Sequence, residues 1–371
     1  MAIHPNRRRT AVFLALVLTL FLCACDRPSL LSPQSPDGLR LVVDMAGREV
    51  RLPAPEKIRR IGCLEVLCYE KLFLLGASDR VVMMTRTNAP WMRRTNPAIH
   101  RIQQLLPDPP VEELLRQEVD VVFRTHGYPN PAKMEQLAQT GIPVLVSQNR
   151  ARLDGIDAFV DSRNRMLRLF AQALGPEYQA RAEEWCAYHD RMVRMVRVRT
   201  VDIPAGQRVR LYHVRGPAAV HTQGKSSHTY WYGIIAGADM VVGKTALAGK
   251  GDLSLEEIID WDPQVINIGR HYSADLVLKD PNWVQTSAVR DGRVHELPEG
   301  VFYWDGSTEG VLLMLYLARE LYPERFPDLD VRKEIRDYYA RFYRYTLSGI
   351  ELDLMLAGKG PDGKRINEMN N

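Results

Sequence analysis

"VEELLRQEVDVVF", residues Val111–Phe123, returns in nearly the same form as "LEEIIDWDPQVIN", residues Leu255–Asn267. Each begins with an apolar residue, two carboxylates and a pair of branched aliphatics, then passes through a polar spacer to a strand-like end. Aligned on Glu112 and Glu256, the two phrases lie 144 residues apart (256 minus 112). A repeat at that distance predicts a duplicated helix–strand unit, one copy in each half of the chain.

The flanking sequence follows the same rhythm. "LVVDMAGREVRLP" from Leu41 reads as a hairpin around a Gly turn, "KIRRIGCL" as a strand, and "EVLCYEKLFLLGA" as a helix closed by Gly76. "DRVVMMT", "VDVVF" and "IPVLVS" are further strands, with a helix over "PAKMEQLAQTG" between the last two. In the second half, strands are expected in "RVRLYHV", "DMVV", "QVINIG" and "GRVHEL", and helices in "SHTYWYGIIAGA" and "SLEEIIDW". Alternation of this kind is the signature of parallel α/β sheets. Between the halves, "EYQARAEEWCAYHDRMVRMVRVRT" keeps helical spacing over several turns, so one long helix joins two Rossmann-like lobes with a ligand cleft between them. After Trp304, "STEGVLLMLYLARELYPERF" is an apolar helix with Asp305 and Ser307 as candidate N-caps.

A chain of 371 residues is long enough for two domains with separate cores. Its 46% hydrophobic and 25% charged content is that of a folded globular protein. Of the net charge of +4, Arg7, Arg8 and Arg9 supply three, and the first 24 residues hold no Asp or Glu. The remainder is close to neutral, which gives no electrostatic case for nucleic acid.

The basic start and the apolar run Ala11–Cys23 fit a secretory signal and are too short for a comfortable membrane span. Leu22-Cys23-Ala24-Cys25 resembles a bacterial lipobox, which implies diacylation of Cys25 as the new amino-terminus. The resulting expectation is an exported protein, lipid-anchored on the periplasmic face of an inner membrane or the outer face of a Gram-positive one. The expected organisation is signal peptide 1–24, tether 25–39, N-terminal lobe 40–156, connecting helical segment 157–201, C-terminal lobe 202–350 and tail 351–371, mobile from Gly358. Three cysteines then remain, an odd number that argues against a disulfide framework. Cys63 and Cys68 are expected to be small buried thiols, pairing in an oxidising compartment being the alternative.

"DMAGREVRLPAPEKIRRIG", "LGASDRVV", "VEELLRQEVDVVF", "GIPVLVS", "SLEEIIDWDPQVINI" and "VRDGRVHEL" resemble, in this order, periplasmic proteins that bind ferric siderophores, haem or vitamin B12 for ABC importers. The resemblance covers about Leu41 to Tyr345. It implies that Glu112 and Glu256, one per lobe, dock on arginines of a permease dimer driven by a cytoplasmic ATPase. Two carboxylates on separate rigid bodies also steer encounter by charge.

The ligand should lie at the carboxyl ends of the strands. Loops there offer Arg86, Trp91, His126 and Tyr128 in the first half, and His213, Arg215, His228, Trp231, Arg270, His271, Tyr303 and Trp304 in the second. Arg86 and Arg270 lead the set, because buried strand-end arginines require an anion. Tyr and Trp supply flat contact surfaces, and His126, His213, His228 and His271 are candidate metal ligands. So much Arg and His favours an anionic ligand over a corrinoid. A ferric siderophore is the first expectation; haem, cobalamin, another metal chelate, an oxoanion such as molybdate or a directly His-coordinated metal ion are the alternatives. No intrinsic cofactor is expected. Neither a Gly-rich phosphate loop, a nucleophile elbow nor an HExxH motif occurs, so an enzyme is not expected.

Overall fold

The expected hairpin forms from the antiparallel pair β1 (Arg40–Val43), whose residues alternate buried and exposed, and β2 (Glu49–Leu52). The computed structural model describes residues 38–105, 109–125, 131–148, 153–270 and 272–365, without the side chains of 131–134. All lie within the unit Ser32–Asn371. The expected signal, Cys25 and the tether up to residue 37, and residues 366–371 of the tail, lie outside the described residues.

The first lobe carries β3 (Ile61–Cys63), α1 (Cys68–Leu75), β4 (Val81–Thr85), α2 (Pro90–Thr95), β5 (Gln103–Leu105), α3 (Val111–Arg116), β6 (Val121–Thr125), α4 (Pro131–Gln139) and β7 (Val144–Gln148). Its sheet is parallel throughout, in the order β5-β4-β3-β6-β7. The strand order reverses direction between β3 and β6, which opens a crevice at their carboxyl ends.

Two helices follow, α5 (Ile156–Leu174) and α6 (Pro176–Thr200), broken at Gly175 where Pro176 can only begin a helix. They pack antiparallel, as the pairs Arg168–Glu183, Asn164–Asp190 and Asp157–Arg197 require. The single long helix α6 then leads into the second lobe.

That lobe contains β8 (Arg210–Val214), β9 (His221–Gln223), α7 (His228–Ile235), β10 (Asp239–Met240), β11 (Lys250–Asp252), α8 (Leu255–Trp261), β12 (Val265–Ile268), α9 (Asp275–Leu278), α10 (Ser287–Arg290), β13 (Val294–Glu296) and α11 (Gly310–Leu321). β10, β12 and β13 join the sheet in parallel register, and β9 and β11 form an antiparallel edge. Alternation sorts the side chains: Tyr212, Val214, Ile266 and Ile268 fill an outer core, while Leu211 and Val265 face the large cluster shared with the helices.

The repeated phrase is a repeated structure. Glu118 and Asp262, 144 residues apart, both adopt the left-handed conformation, with φ of 49° and 44°. Two residues on, the Asp120 N–H donates to the Arg60 carbonyl and the Gln264 N–H to the Arg210 carbonyl, each at 2.8 Å. Each helix thus turns onto the same edge of its sheet by the same device.

Several expectations need correction. Cys63 and Cys68 form a disulfide (Cα–Cα 5.5 Å) that ties the end of β3 to the first residue of α1. Cys186 is the free buried thiol, pushed up to about 12 by burial. The chain beyond residue 350 is not a loose tail, since α12 (Val331–Tyr338), a π-turn (Tyr339–Tyr343) and α13 (Gly349–Leu356) carry it back to the first lobe. There α13 buries Leu352 and Met355, Arg94 pairs with Glu351 at 2.9 Å, and the Lys359 carbonyl accepts the Trp91 indole N–H at 2.8 Å. Asp305 caps no helix; it is the counter-ion described next.

Candidate functional site

In the second lobe, β8 delivers Arg215 and β12 delivers Arg270 to one carboxylate. Asp305 accepts the Arg215 Nε–H and, at 3.0 and 3.1 Å, the Arg270 Nε–H. Its side chain is 1% exposed, against 5% for Arg215 and 22% for Arg270. Only the Nε of each arginine is used in this way. The terminal nitrogens of both guanidiniums make no hydrogen bond to the described protein and are not sealed from solvent. Two planar forks held side-on by one carboxylate keep further donors, an arrangement chemically suited to an oxyanion.

The local backbone is shaped to this end. Arg270 sits at φ +56°, a conformation that costs a non-glycine residue on the order of 1 kcal/mol and is common at ligand clamps. Its guanidinium lies 4.5 Å from the Tyr303 ring centroid, which holds it from below. Gly269, just before it, must lack a side chain: a Cβ there would stand 2.5 Å from His213 Cε1 and 3.3 Å from Arg215 Cδ.

Opposite lie residues of the first lobe and of α5. Glu65, in the loop held by the disulfide, accepts from Thr125 and, at 2.9 Å, from Ser147, at the ends of β6 and β7. Lys71, fully buried on α1, donates to the Leu67 carbonyl at 2.8 Å and stands 3.8 Å from Glu70. Burial lowers its pKa against the opposing pull of Glu70 and Glu65. Arg163 of α5 is buried, and burial pulls it down to about 10, so it stays charged at neutral pH.

His228, the first residue of α7, joins the lobes. Its Nε2 faces Arg163 Nη1, a guanidinium donor, and so must be the accepting nitrogen of a neutral ring. Gln148 Nε2, from the first lobe, stands 3.5 Å from the same atom. Burial first, then Arg163 and Lys71, keep His228 well below its ordinary pKa. Its Nδ1 makes no hydrogen bond of ordinary geometry, although the Gly306 carbonyl stands beside it.

The remaining candidates divide. His213 is buried with neither ring nitrogen bonded in ordinary geometry, and burial lowers it to about 4. Trp231 is half-buried and stacks on Phe159 at 6.3 Å. Trp304 and Trp91 belong to the apolar core, at 1% and 0% exposure, so neither offers a surface to the cleft. Arg86 is solvent-exposed, contrary to the expectation of a buried strand-end arginine. Glu112 and Glu256 are exposed in the first turns of α3 and α8, where the helix dipole favours them. His126, Tyr128 and His271 lie outside the described residues. Among the described residues no three His, Cys, Asp or Glu side chains are grouped to hold a metal ion.

Asp305, Lys71, Arg163 and Glu65 escaped the sequence reading. A signal existed for one of them: Glu70-Lys71 interrupts an otherwise apolar helix, and all eight residues of α1 are buried. A separate groove of about 650 Å³ runs between α5 and α6, lined by Asp161, Arg168, Asp190 and Arg197 among others. Its charges are of both signs, so it lacks the convergent donors of the cleft. No helix among the described residues is long and apolar enough to cross a membrane.

The sequence and the fold have known counterparts. The molybdate-binding protein MolA of Haemophilus influenzae is 28% identical over 253 residues, 63% of this chain and 70% of that protein. The crystal structure of MolA bound to molybdate superposes with a TM-score of 0.74 at 26% identity, covering 83% of this chain and 99% of that one. A periplasmic solute binding protein from Veillonella parvula gives a TM-score of 0.72 at 20% identity, covering 86% and 97%. Helicobacter pylori CeuE, solved with a nickel–histidine complex, gives 0.67 at 21% identity, covering 86% and 99%, and shares the fold. The sequence profile of the periplasmic binding proteins matches residues 61–301, well over half of the 371 residues, so this chain belongs to the periplasmic binding protein family that serves ABC transporters.

Proposed function

We propose that this protein captures a small, multiply charged oxyanion of the molybdate class and delivers it to an ABC permease. The carrying observation is the pair of guanidiniums held by their Nε–H groups on Asp305, with the terminal donors left for a ligand. Charge-assisted hydrogen bonds of this kind contribute about 1.5–3 kcal/mol each. The molybdate-binding relative supports the same reading. A bulky ferric siderophore, the first expectation from sequence, fits less well. His228 and Gln148 approach to 3.5 Å across the lobes, and two of the three tryptophans expected at the site, Trp91 and Trp304, are core residues.

Calorimetric titration of the apoprotein with molybdate, tungstate, sulfate, a ferric hydroxamate and haem tests the assignment. Saturable one-to-one binding of molybdate or tungstate, with the chelates silent, is expected. Tight binding of a ferric chelate with no response to any oxyanion would overturn it.

Delivery is a separate part of the reading. Glu112 and Glu256 are exposed carboxylates at equivalent places on the two lobes, suited to pair with cations of a two-subunit permease. Reversing both to Lys is expected to leave ligand affinity unchanged and to abolish uptake by cells. Wild-type uptake in that variant would remove them from the interface. Diacylation of Cys25 would hold the protein at the membrane during delivery, and the mass of the mature amino-terminal peptide reports it.

A further inference from the structure

Gly306 is buried in the loop that follows Asp305, and nothing in its own geometry explains why it is glycine. It is not among the residues with positive φ, so an L side chain would not strain the backbone. Nor is it crowded. Among the described residues, a Cβ built there would meet Arg270 Nη2 at 3.4 Å and Leu67 Cδ2 at 3.9 Å and nothing else within 4 Å, both ordinary contacts. Gly269 is the contrast, where a Cβ would collide with His213.

The two atoms that Cβ would touch belong to opposite sides of the cleft. Arg270 is one of the two oxyanion forks, and Leu67 lies in the first-lobe loop that also carries Glu65. The carbonyl of the same glycine stands beside His228, which Arg163 engages from α5. A side chain at 306 would therefore project into a gap walled by a guanidinium donor of the second lobe on one side and the Leu67 methyl of the first lobe on the other. With conformational and packing reasons absent, what remains is the space itself.

We infer that Gly306 is a specificity-determining position: the bound oxyanion rests against its backbone, between Arg270 and Leu67, in the volume that any side chain would fill. This rests on the proposed function for the chemical class of the ligand, but not for the position of the gap. A floor without Cβ lets a compact tetrahedral anion reach both guanidiniums at once.

Gly306→Ala and Gly306→Val test the assignment, titrated in parallel with wild type against molybdate and against a ferric hydroxamate. The alanine variant should melt with the wild type, because its contacts are unstrained. Affinity for whichever probe the wild type binds should fall about tenfold for Ala and about a hundredfold for Val, the range that one or two misplaced methyl groups produce in a fitted pocket. Affinity equal to wild type in a folded Gly306→Ala and a folded Gly306→Val would overturn the inference. If Val prevents folding, Gly306→Ser carries the second step of the series. If the wild type binds the chelate and not molybdate, the oxyanion reading fails, while the graded loss, read on the chelate, still decides the role of Gly306.

Discussion

Stability is expected to peak between about pH 4.5 and 6.5, on the acid side of neutrality, and to fall steeply below that window. Three buried histidines set the acid limb. His189 is held neutral at about 3 by burial, and its partners explain why: Nδ1–H donates to Asn164 Oδ1 and Nε2 accepts the Tyr232 hydroxyl, each at 3.1 Å. His213, lowered to about 4, and His228, lowered well below its ordinary value, behave alike. Each folded-state pKa lies below the unfolded 6.5, so the unfolded chain binds more protons as pH falls through the interval, and stability is lost. Buried acids act in the opposite sense. Burial raises Glu320 to about 7, Glu309 to about 8 and Glu299 well above its ordinary value. Their folded pKa values lie above the unfolded 4.5, so their stabilisation is full below 4.5 and is lost progressively as pH rises from 4.5 to the folded values. Glu309 also accepts two backbone N–H groups and the Tyr339 hydroxyl, which restrains its shift.

Between 4.5 and 6.5 the two groups nearly cancel. Below 4.5 the raised acids are protonated in both states, and the three histidines cost on the order of 3 kcal/mol per pH unit until they titrate, while Glu113 and Glu351, each held low at about 2, steepen the same limb. Guanidinium denaturation from pH 3 to 8.5 at fixed ionic strength measures the profile. A midpoint that climbs steadily from pH 4 to 8 would contradict it.

The fold was legible in the sequence because its signals are local and repeated. Strand runs bounded by Gly and Pro, and a helix–strand phrase occurring twice, carry their meaning within a dozen residues. The match of Glu118 with Asp262, down to the sign of φ, shows how completely that phrase encodes a structure. The site is different, because its residues meet only in three dimensions. Asp305 precedes an apolar helix by a few residues, which is where a cap would stand, and only the arrival of Arg215 and Arg270 from two other strands makes it a counter-ion. Trp91 showed the converse: an aromatic in a strand-end loop looks like a ligand surface until a carbonyl 268 residues later covers its N–H. Lys71 and Arg163 sit on helices whose burial comes from distant parts of the chain: α1 packs on α5, and Arg163 lies against His228 of α7. The disulfide needed the disposition of β3 against α1, which two cysteines five residues apart do not by themselves specify.

Removing the carboxylate of Asp305 and removing the whole Arg215–Asp305–Arg270 triad are expected to have opposite consequences. In Asp305→Ala two guanidiniums, one 5% and one 22% exposed, face each other with no counter-charge. Breaking a buried pair costs about 3–5 kcal/mol. The partial exposure of Arg270 places the loss toward the lower figure. Anion affinity is the poorer readout for this variant. Loss of the negative charge strengthens attraction by a few kcal/mol at an effective dielectric of about 20. Release of two long side chains from their fixed pose opposes it by about 2 kcal/mol each. The triple variant Arg215→Met, Arg270→Met, Asp305→Leu removes every charge and keeps the volume, a replacement that is often neutral or stabilising. It should unfold near the wild-type denaturant midpoint while molybdate affinity falls at least a hundredfold, from the loss of both forks. The expected result is thus that stability is recovered without the triad while ligand capture is not. If the triple variant proved as unstable as Asp305→Ala, the cluster would be a structural element of the second lobe, and the anion would have to be sought beside Arg163 and Lys71 instead.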